Sequence, residues 1–224
     1  MEARPAATVI VAREAHDGIE VLLERRAEHS RFAPGFVVFP GGLLEAGDDA
    51  LALRWFGDEA EAPRACALRE LHEETGLLLT SSGLIQARTG IPALEIPFDP
   101  PPSSALVRVA RWVAPEFLEV RFDAWFFAVE APARLEPAPD GTEIARAWWA
   151  SPDEVLSAST RGEAPLMWPT LVSLERLAEC DSVDEVLALR IEQLHPPVPG
   201  ERPGWLRGAW QRPEGSRSSH MQQP

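Results

Sequence analysis

From Arg69 to Leu77 the chain reads Arg-Glu-Leu-His-Glu-Glu-Thr-Gly-Leu, with three glutamates inside five positions. An α-helix turns about 100° per residue, so Glu70, Glu73 and Glu74 fall within roughly 100° of one another on a single face. Gly76 marks the stop just after them. Local physics opposes this arrangement. Like charges three or four positions apart repel by roughly 0.2–0.5 kcal/mol per pair. Carboxylates in a last turn also face the negative end of the helix dipole. Two readings follow. One is a solvated acidic face, with Arg69 paired to Glu73 at i, i+4. The other is a bound divalent cation, which reverses both penalties, because Mg²⁺ takes oxygen ligands and carboxylates one turn apart can share it. A local rule broken without local compensation is where function is expected.

Length and composition set the frame. The 224 residues, 45% of them apolar, suit one globular domain with an appendage. No run approaches 18 apolar residues, so no membrane span is expected. Met1 to Pro5 lacks the apolar segment of a signal peptide. Cys66 and Cys180 are too few for a disulfide framework or a four-cysteine zinc site. They predict a reducing, cytoplasmic setting. The net charge of −14, without any basic run, disfavours nucleic-acid partners. An acidic protein that handles phosphates needs a cation to bridge them.

The pattern predicts strands over Ala6–Ala12 and Ile19–Leu23, joined through the Asp17-Gly18 turn. Phe36–Phe39 is a short apolar run ended by Pro40-Gly41-Gly42, two glycines that let backbone approach a ligand closely or simply turn. Ala65–Thr75 is the glutamate helix, with Leu68, Leu71 and Thr75 facing inward. Pro92–Pro102 reads as an exposed loop. Further strands are expected at Leu106–Val113, Phe122–Glu130 and Ala147–Trp149. Ser151 reads as an N-cap with Pro152 at N1 of a helix. Two more helices are expected near Pro169–Glu179 and Val183–Gln193. The domain core is expected over 1–160, a helical extension over 161–195, and a poorly ordered tail over 196–224. Strands mixed with helices suggest an α/β sandwich.

The stretch Arg69–Leu77 resembles the second half of the Nudix box, G-x5-E-x7-R-E-U-x-E-E-x-G-U, without a mismatch. The first half begins at Phe39-Pro40-Gly41-Gly42 but departs from the pattern. Asp48 stands where the family has Glu, and Arg69 lies 27 positions after Gly42 where the plain box has 14. Thirteen residues are therefore inserted, within about 49–64. Inserted boxes of this kind are similar to those in relatives of the mammalian peroxisomal coenzyme A diphosphatase, Nudix hydrolase type 19. Upstream, Arg25, Ala27, Arg31, Gly35 and Phe39-Pro40-Gly41-Gly42 fall in register with a coenzyme A signature found in some Nudix hydrolases. Trp112, Pro115, Arg121-Phe122-Asp123 and Pro169-Thr170-Leu171 look like further markers of that lineage.

The resemblance implies a Nudix-type α/β/α sandwich with a mixed sheet and C-terminal helices. It implies a hydrolase that cleaves the diphosphate of coenzyme A or an acyl-coenzyme A, giving 3′,5′-ADP and a phosphopantetheine. Cleavage of ADP-ribose or another nucleoside diphosphate derivative is the alternative, and a non-catalytic ligand-binding regulator is a second. By resemblance, Glu70, Glu73 and Glu74 hold Mg²⁺ or Mn²⁺, and Arg69, Glu70 and Glu73 belong to the catalytic set. Glu143 is the candidate general base, against the reading of a turn residue after Asp140-Gly141. Arg25, Arg31, Gly41 and Gly42 are expected to bind substrate, the arginines because their forked donors match phosphates. They are otherwise ordinary surface charges. Asp48 is one methylene short of the family's Glu, and a structural role is expected for it. The expected partners are a small nucleotide-containing substrate and a second copy of the chain.

Overall fold

The computed structural model describes residues 2–30, 32–87, 101–139 and 143–193. Arg31, most of the proline-rich loop and the expected tail lie outside the described residues. The strands are β1 (Arg4–Ala15), β2 (Gly18–Arg26), β3 (Val37–Val38), β4 (Gly41–Leu43), β5 (Leu77–Thr80), β6 (Gly83–Gln86), β7 (Val107–Val113), β8 (Phe122–Glu130) and β9 (Ile144–Ala150). The helices are α1 (Asp48–Phe56), α2 (Ala62–Thr75), α3 (Pro152–Thr160), α4 (Trp168–Leu177) and α5 (Val183–Ala188).

The main sheet is mixed and runs β3-β2-β1-β8-β7, with β4 also on β1 and β9 on β2. The central strand β1 pairs parallel with β8 and antiparallel with β2. Its middle is a continuous apolar run because both of its faces are covered. Ile10 and Ala12 face a core shared with α3, α4 and α5, while Ala7, Val9 and Val11 face α1 and α2. The result is an α/β/α sandwich with two cores.

One departure from simple pairing positions everything that follows. β1 and β2 pair only at their hairpin end, Ala12–Ala15 against Gly18–Val21. Beyond it the two strands part, and the segment carrying Pro40-Gly41-Gly42 takes both free edges. Val37 and Val38 pair with Arg25 and Glu24. Gly41, Gly42 and Leu43 pair with Thr8, Ala7 and Ala6. The Val9 N–H donates to the Pro40 carbonyl at 2.9 Å. The glycine loop is thereby wedged into the sheet rather than hung from it.

Several boundaries differ from expectation. The inserted segment forms α1, closed by Gly57 in the left-handed region (φ 75°) and packed on α2 through Leu51, Ala52 and Trp55. α2 begins at Ala62 rather than Ala65, with Pro63 in its first turn, where a missing N–H costs nothing. The Leu77–Gln86 hairpin was not anticipated. The last expected helix stops at Ala188. Leu189 is extended, and the Ile191 N–H donates to the Val109 carbonyl at 2.8 Å, so edge pairing on β7 outcompetes another helical turn. The N-cap of α3 forms as read, and Glu154 extends it to a capping box, Ser151 and Glu154 satisfying each other's backbone N–H. No helix among the described residues is long and apolar enough to cross a membrane.

Candidate active site

α2 lies across β1 and presents its last two turns to the wedged glycine loop. The three glutamates diverge there. Glu74 is 7% exposed and accepts the Gly41 N–H at 2.9 Å. Glu70 lies against Gly42, and its carboxylate fills the space that a side chain at that position would take. Glu73 stays in solvent with a 46% exposed side chain, bonded to Arg69 at 3.0 Å. The i, i+4 pair of Arg69 and Glu73 forms, while Glu70 and Glu74 turn inward.

Arg69 is the hub. Its Nε and Nη2 grip the two oxygens of Asp48 at 2.8 and 3.1 Å, Nη1 donates to Glu70 at 2.9 Å, and Nη2 also donates to the Leu43 carbonyl at 3.1 Å. Asp48 is 1% exposed and also accepts the Glu45 N–H at 2.8 Å. Standing one residue from its helix N-cap, it ties α1 to α2 through a forked pair. Burial alone lowers the Arg69 pKa, but the hydrogen bond to Asp48 and the charges of Glu70 and Asp48 outweigh it and raise it.

The inward carboxyls gain a partner that sequence reasoning passed over. Glu24 is 0% exposed on β2 and shares the sheet face of Leu22, toward α2. Its carboxyl lies beside that of Glu74. Burial first, then the charges of Glu24 and Glu70, push the Glu74 carboxyl well up, against the pull of the Gly41 N–H. Burial pushes Glu70 up to about 7, against the lowering influence of Arg69. The signal in the sequence was an acid at an inward position of an apolar strand.

The expected trio of metal ligands is not assembled as a trio. Among the described residues no group of three or more His, Cys, Asp or Glu side chains is arranged to hold a metal ion. Glu73 is instead paired with Arg69, its side chain half exposed. The inward acids nonetheless fit a divalent cation chemically. They are oxygen donors whose pKa values burial and neighbouring carboxylates push up, the penalty that a bound cation removes.

The other expected site residues lie apart. Arg25 shares the opposite sheet face with Val21 and Leu23. Its guanidinium donates to the Gly35 and Glu163 carbonyls at 3.3 and 2.8 Å, which braces the loops there rather than reaching the acids. Glu143, 61% exposed, is paired with Arg26 at 2.6 Å and accepts the Ala27 N–H through its carbonyl. No described contact brings Glu143 to the acid cluster. Arg31 lies outside the described residues.

The two glycines make contrasting demands. A Cβ at Gly41 would meet the Ala7 carbonyl at 2.4 Å and Thr8 Cα at 2.7 Å, both backbone. A Cβ at Gly42 would first meet the Glu70 carboxylate, at 2.2 Å, which can swing away. Gly41→Ala is therefore expected to destabilise the fold by about 1–3 kcal/mol in urea unfolding. Gly42→Ala is expected to unfold near the parent midpoint yet lose about tenfold or more in turnover, because a displaced catalytic group is costly. Equal stability losses for the two variants would refute the distinction.

A sandwich whose sheet clasps a glycine loop against the acids of one helix defines a Nudix domain, and the chain belongs to that family. The NUDIX domain model matches residues 2–169. Among solved structures the chain is similar to a NUDIX hydrolase from Alicyclobacillus acidocaldarius, with a TM-score of 0.71 and 31% identity over 85% of this chain and 98% of that one. It is also similar to the NUDIX domain of Shewanella oneidensis NrtR complexed with ADP ribose, with a TM-score of 0.51 and 14% identity over 80% and 88%, a likeness of fold alone. Among curated proteins, human acyl-coenzyme A diphosphatase NUDT19 is 24% identical over 245 residues, covering 76% of this chain and 63% of the relative. A Caenorhabditis elegans protein named for the nudix hydrolases is 27% identical over 195 residues, covering 81% and 62%. The chain thus spans less than two thirds of the length of these two relatives. Nudix hydrolases generally use divalent metal ions.

Proposed function

We propose that the chain is a metal-dependent diphosphatase acting on coenzyme A or an acyl-coenzyme A. The observation that carries the chemistry is the convergence of Glu70 and Glu74 on the Gly41-Gly42 loop, with Arg69 and Asp48 locking the helix in place. A pure binding module has no need of buried, mutually repelling acids. The substrate reading is supported by the register of the coenzyme A signature and by the similarity to the human acyl-coenzyme A diphosphatase.

Glu70 and Glu74 would hold Mg²⁺ or Mn²⁺, which when bound neutralises the diphosphate and the charge that develops as water attacks phosphorus. The chain's own residues prepare that site. Gly41 fixes one oxygen of Glu74 through its N–H. Arg69 fixes one oxygen of Glu70 and, by its hold on Asp48 and Leu43, keeps the helix at a set height over the loop. Gly42, lacking a side chain, leaves the Glu70 carboxylate room to face the loop.

The test is a substrate panel with product identification by mass. Coenzyme A with Mg²⁺ or Mn²⁺ is expected to give 3′,5′-ADP and phosphopantetheine, and a chelator is expected to stop turnover. Cleavage confined to ADP-ribose would replace the substrate reading while keeping the chemistry. No turnover of any diphosphate with either metal would sink both.

A further inference from the structure

A second cluster of charge, opposite in sign, lies at the other end of α2. Here Arg64, Arg108 and Arg190 border a cavity of about 560 Å³ with Trp125 and Phe127, a size typical of small-ligand sites. Three different parts of the chain bring the arginines together. Arg64 is in the first turns of α2, donates to the Leu106 carbonyl at 2.9 Å, and lies flat over the Phe127 ring at 5.0 Å. Arg108 projects from β7. Arg190 is carried to the same edge because Ile191 pairs with β7, and it bonds the Leu187 and Leu189 carbonyls.

Among the described residues the charges do not cancel. Glu61 is the one acid that lines the cavity there, and it is paired with Arg64 at 3.0 Å. Among the described residues the Arg108 guanidinium meets no carboxylate and makes no side-chain hydrogen bond. Among the described residues lining the cleft, three guanidiniums against one carboxylate leave two positive charges in a chain whose net charge is −14. A phosphomonoester carries about −1.5 to −2 at neutral pH, and guanidinium forks match its oxygens. Burial lowers the Arg64 pKa, Glu61 raises it, and Arg108 lowers it further, the repulsion that an anion between them would relieve.

We propose that this cleft binds a phosphate group, and that the box insertion exists in part to build it. The wall bearing Ala60 and Glu61 is the end of the inserted segment, and it delivers Arg64 to the cavity. The cleft is distinct from the acid cluster. Arg64 precedes Glu70 by six residues and Glu74 by ten, about 9 and 15 Å of helix rise. The proposal does not depend on which diphosphate the chain cleaves. The phosphate belongs either to a non-scissile part of the substrate or to a separate phosphorylated effector.

Arg108→Glu tests this without disturbing the fold, since Arg108 is exposed and makes no side-chain hydrogen bond or ion pair among the described residues. Arg176→Glu on α4, an exposed arginine paired with Glu179, is the control for the same change of net charge. The whole chain is titrated with inorganic phosphate by calorimetry, in chelator and in an otherwise anion-poor buffer. Phosphate is expected to bind, Arg108→Glu to weaken it about tenfold or more, and Arg176→Glu by less than about twofold, tenfold being about 1.4 kcal/mol. Equal losses in the two variants, or no phosphate binding by the parent, would overturn the proposal. Kinetics then separate the two sources. If the phosphate is the substrate's own, Arg108→Glu raises KM for coenzyme A but not for 3′-dephospho-coenzyme A, with kcat unchanged. If it is an effector's, both KM values stay at the parent level while phosphate binding still falls.

Discussion

Glu74→Gln is expected to abolish turnover while making the metal-free protein more stable at alkaline pH. The two effects share one cause. The fold holds the Glu74 carboxyl beside Glu24 and Glu70, away from water, at an energy that only a cation or a proton relieves. Removing the carboxylate removes the proposed metal ligand, worth several kcal/mol of transition-state stabilisation, or about a thousandfold and more in rate. In chelator the same change removes the repulsion. Because the folded pKa of Glu74 lies above its unfolded value, folding takes up protons. Its contribution to stability is present below the unfolded value, near 4.5, and is lost as pH rises through the raised folded value. Glu70, pushed up to about 7, follows the same rule between about 4.5 and 7. The parent should thus lose stability from pH 5 to 8 in chelator, and Glu74→Gln should lose less. The amide oxygen can still accept the Gly41 N–H, so the loop is kept. Denaturant melts at several pH values, with and without Mn²⁺, check both halves. A fully active variant, or a parent that gains stability toward pH 8 in chelator, would show that the acids are not so placed.

Arg69→Ala should produce the largest loss of stability of any single change near the site. It strands Asp48, 1% exposed, without its cation, and releases the Leu43 carbonyl and the helix–loop brace with it. Removing one partner of a buried ion pair costs about 3–5 kcal/mol. Asp48→Asn is the milder probe. The amide keeps the shape and an oxygen for the Glu45 N–H, but weakens the grip on Arg69. Its turnover is expected to fall by less than about tenfold, roughly 1.4 kcal/mol of barrier. Urea unfolding of both variants decides the matter. An Arg69→Ala protein within about 1 kcal/mol of the parent would mean that the pair carries little net energy, as some buried pairs do.

The strand and helix order was legible because each element announces itself locally. β1, β8 and α3 came from apolar runs, aromatic content and an N-cap serine followed by proline. The insertion was visible as a spacing, but not as a helix. Asp48, Leu51, Ala52 and Trp55 only become an inward face once α2 lies beside them. The last helix was overread because its sequence does not reveal that the β7 edge is open to Ile191. Arg25 stands apart from the acids for a related reason. Motif register assigns a position in the chain, and strand parity then sends neighbouring side chains to opposite faces, so Glu24 reached the acids and Arg25 the far side.

What the sequence determined by itself was the chemistry available: a helix face crowded with glutamates, a glycine loop before it, and an arginine beside them. Those follow from periodicity and residue type, which are local properties. What only the tertiary structure decided was which glutamates act together. The parting of β1 and β2 admits the loop, the loop's backbone selects Glu74, the bare Cα of Gly42 makes room for Glu70, and Arg69 holds Glu73 in solvent. Apart from the Arg69–Glu73 pair, such a choice rests on contacts between residues 12 to 37 positions apart in the chain. No local pattern encodes it, because burial and charge at each carboxyl are set by its neighbours in space.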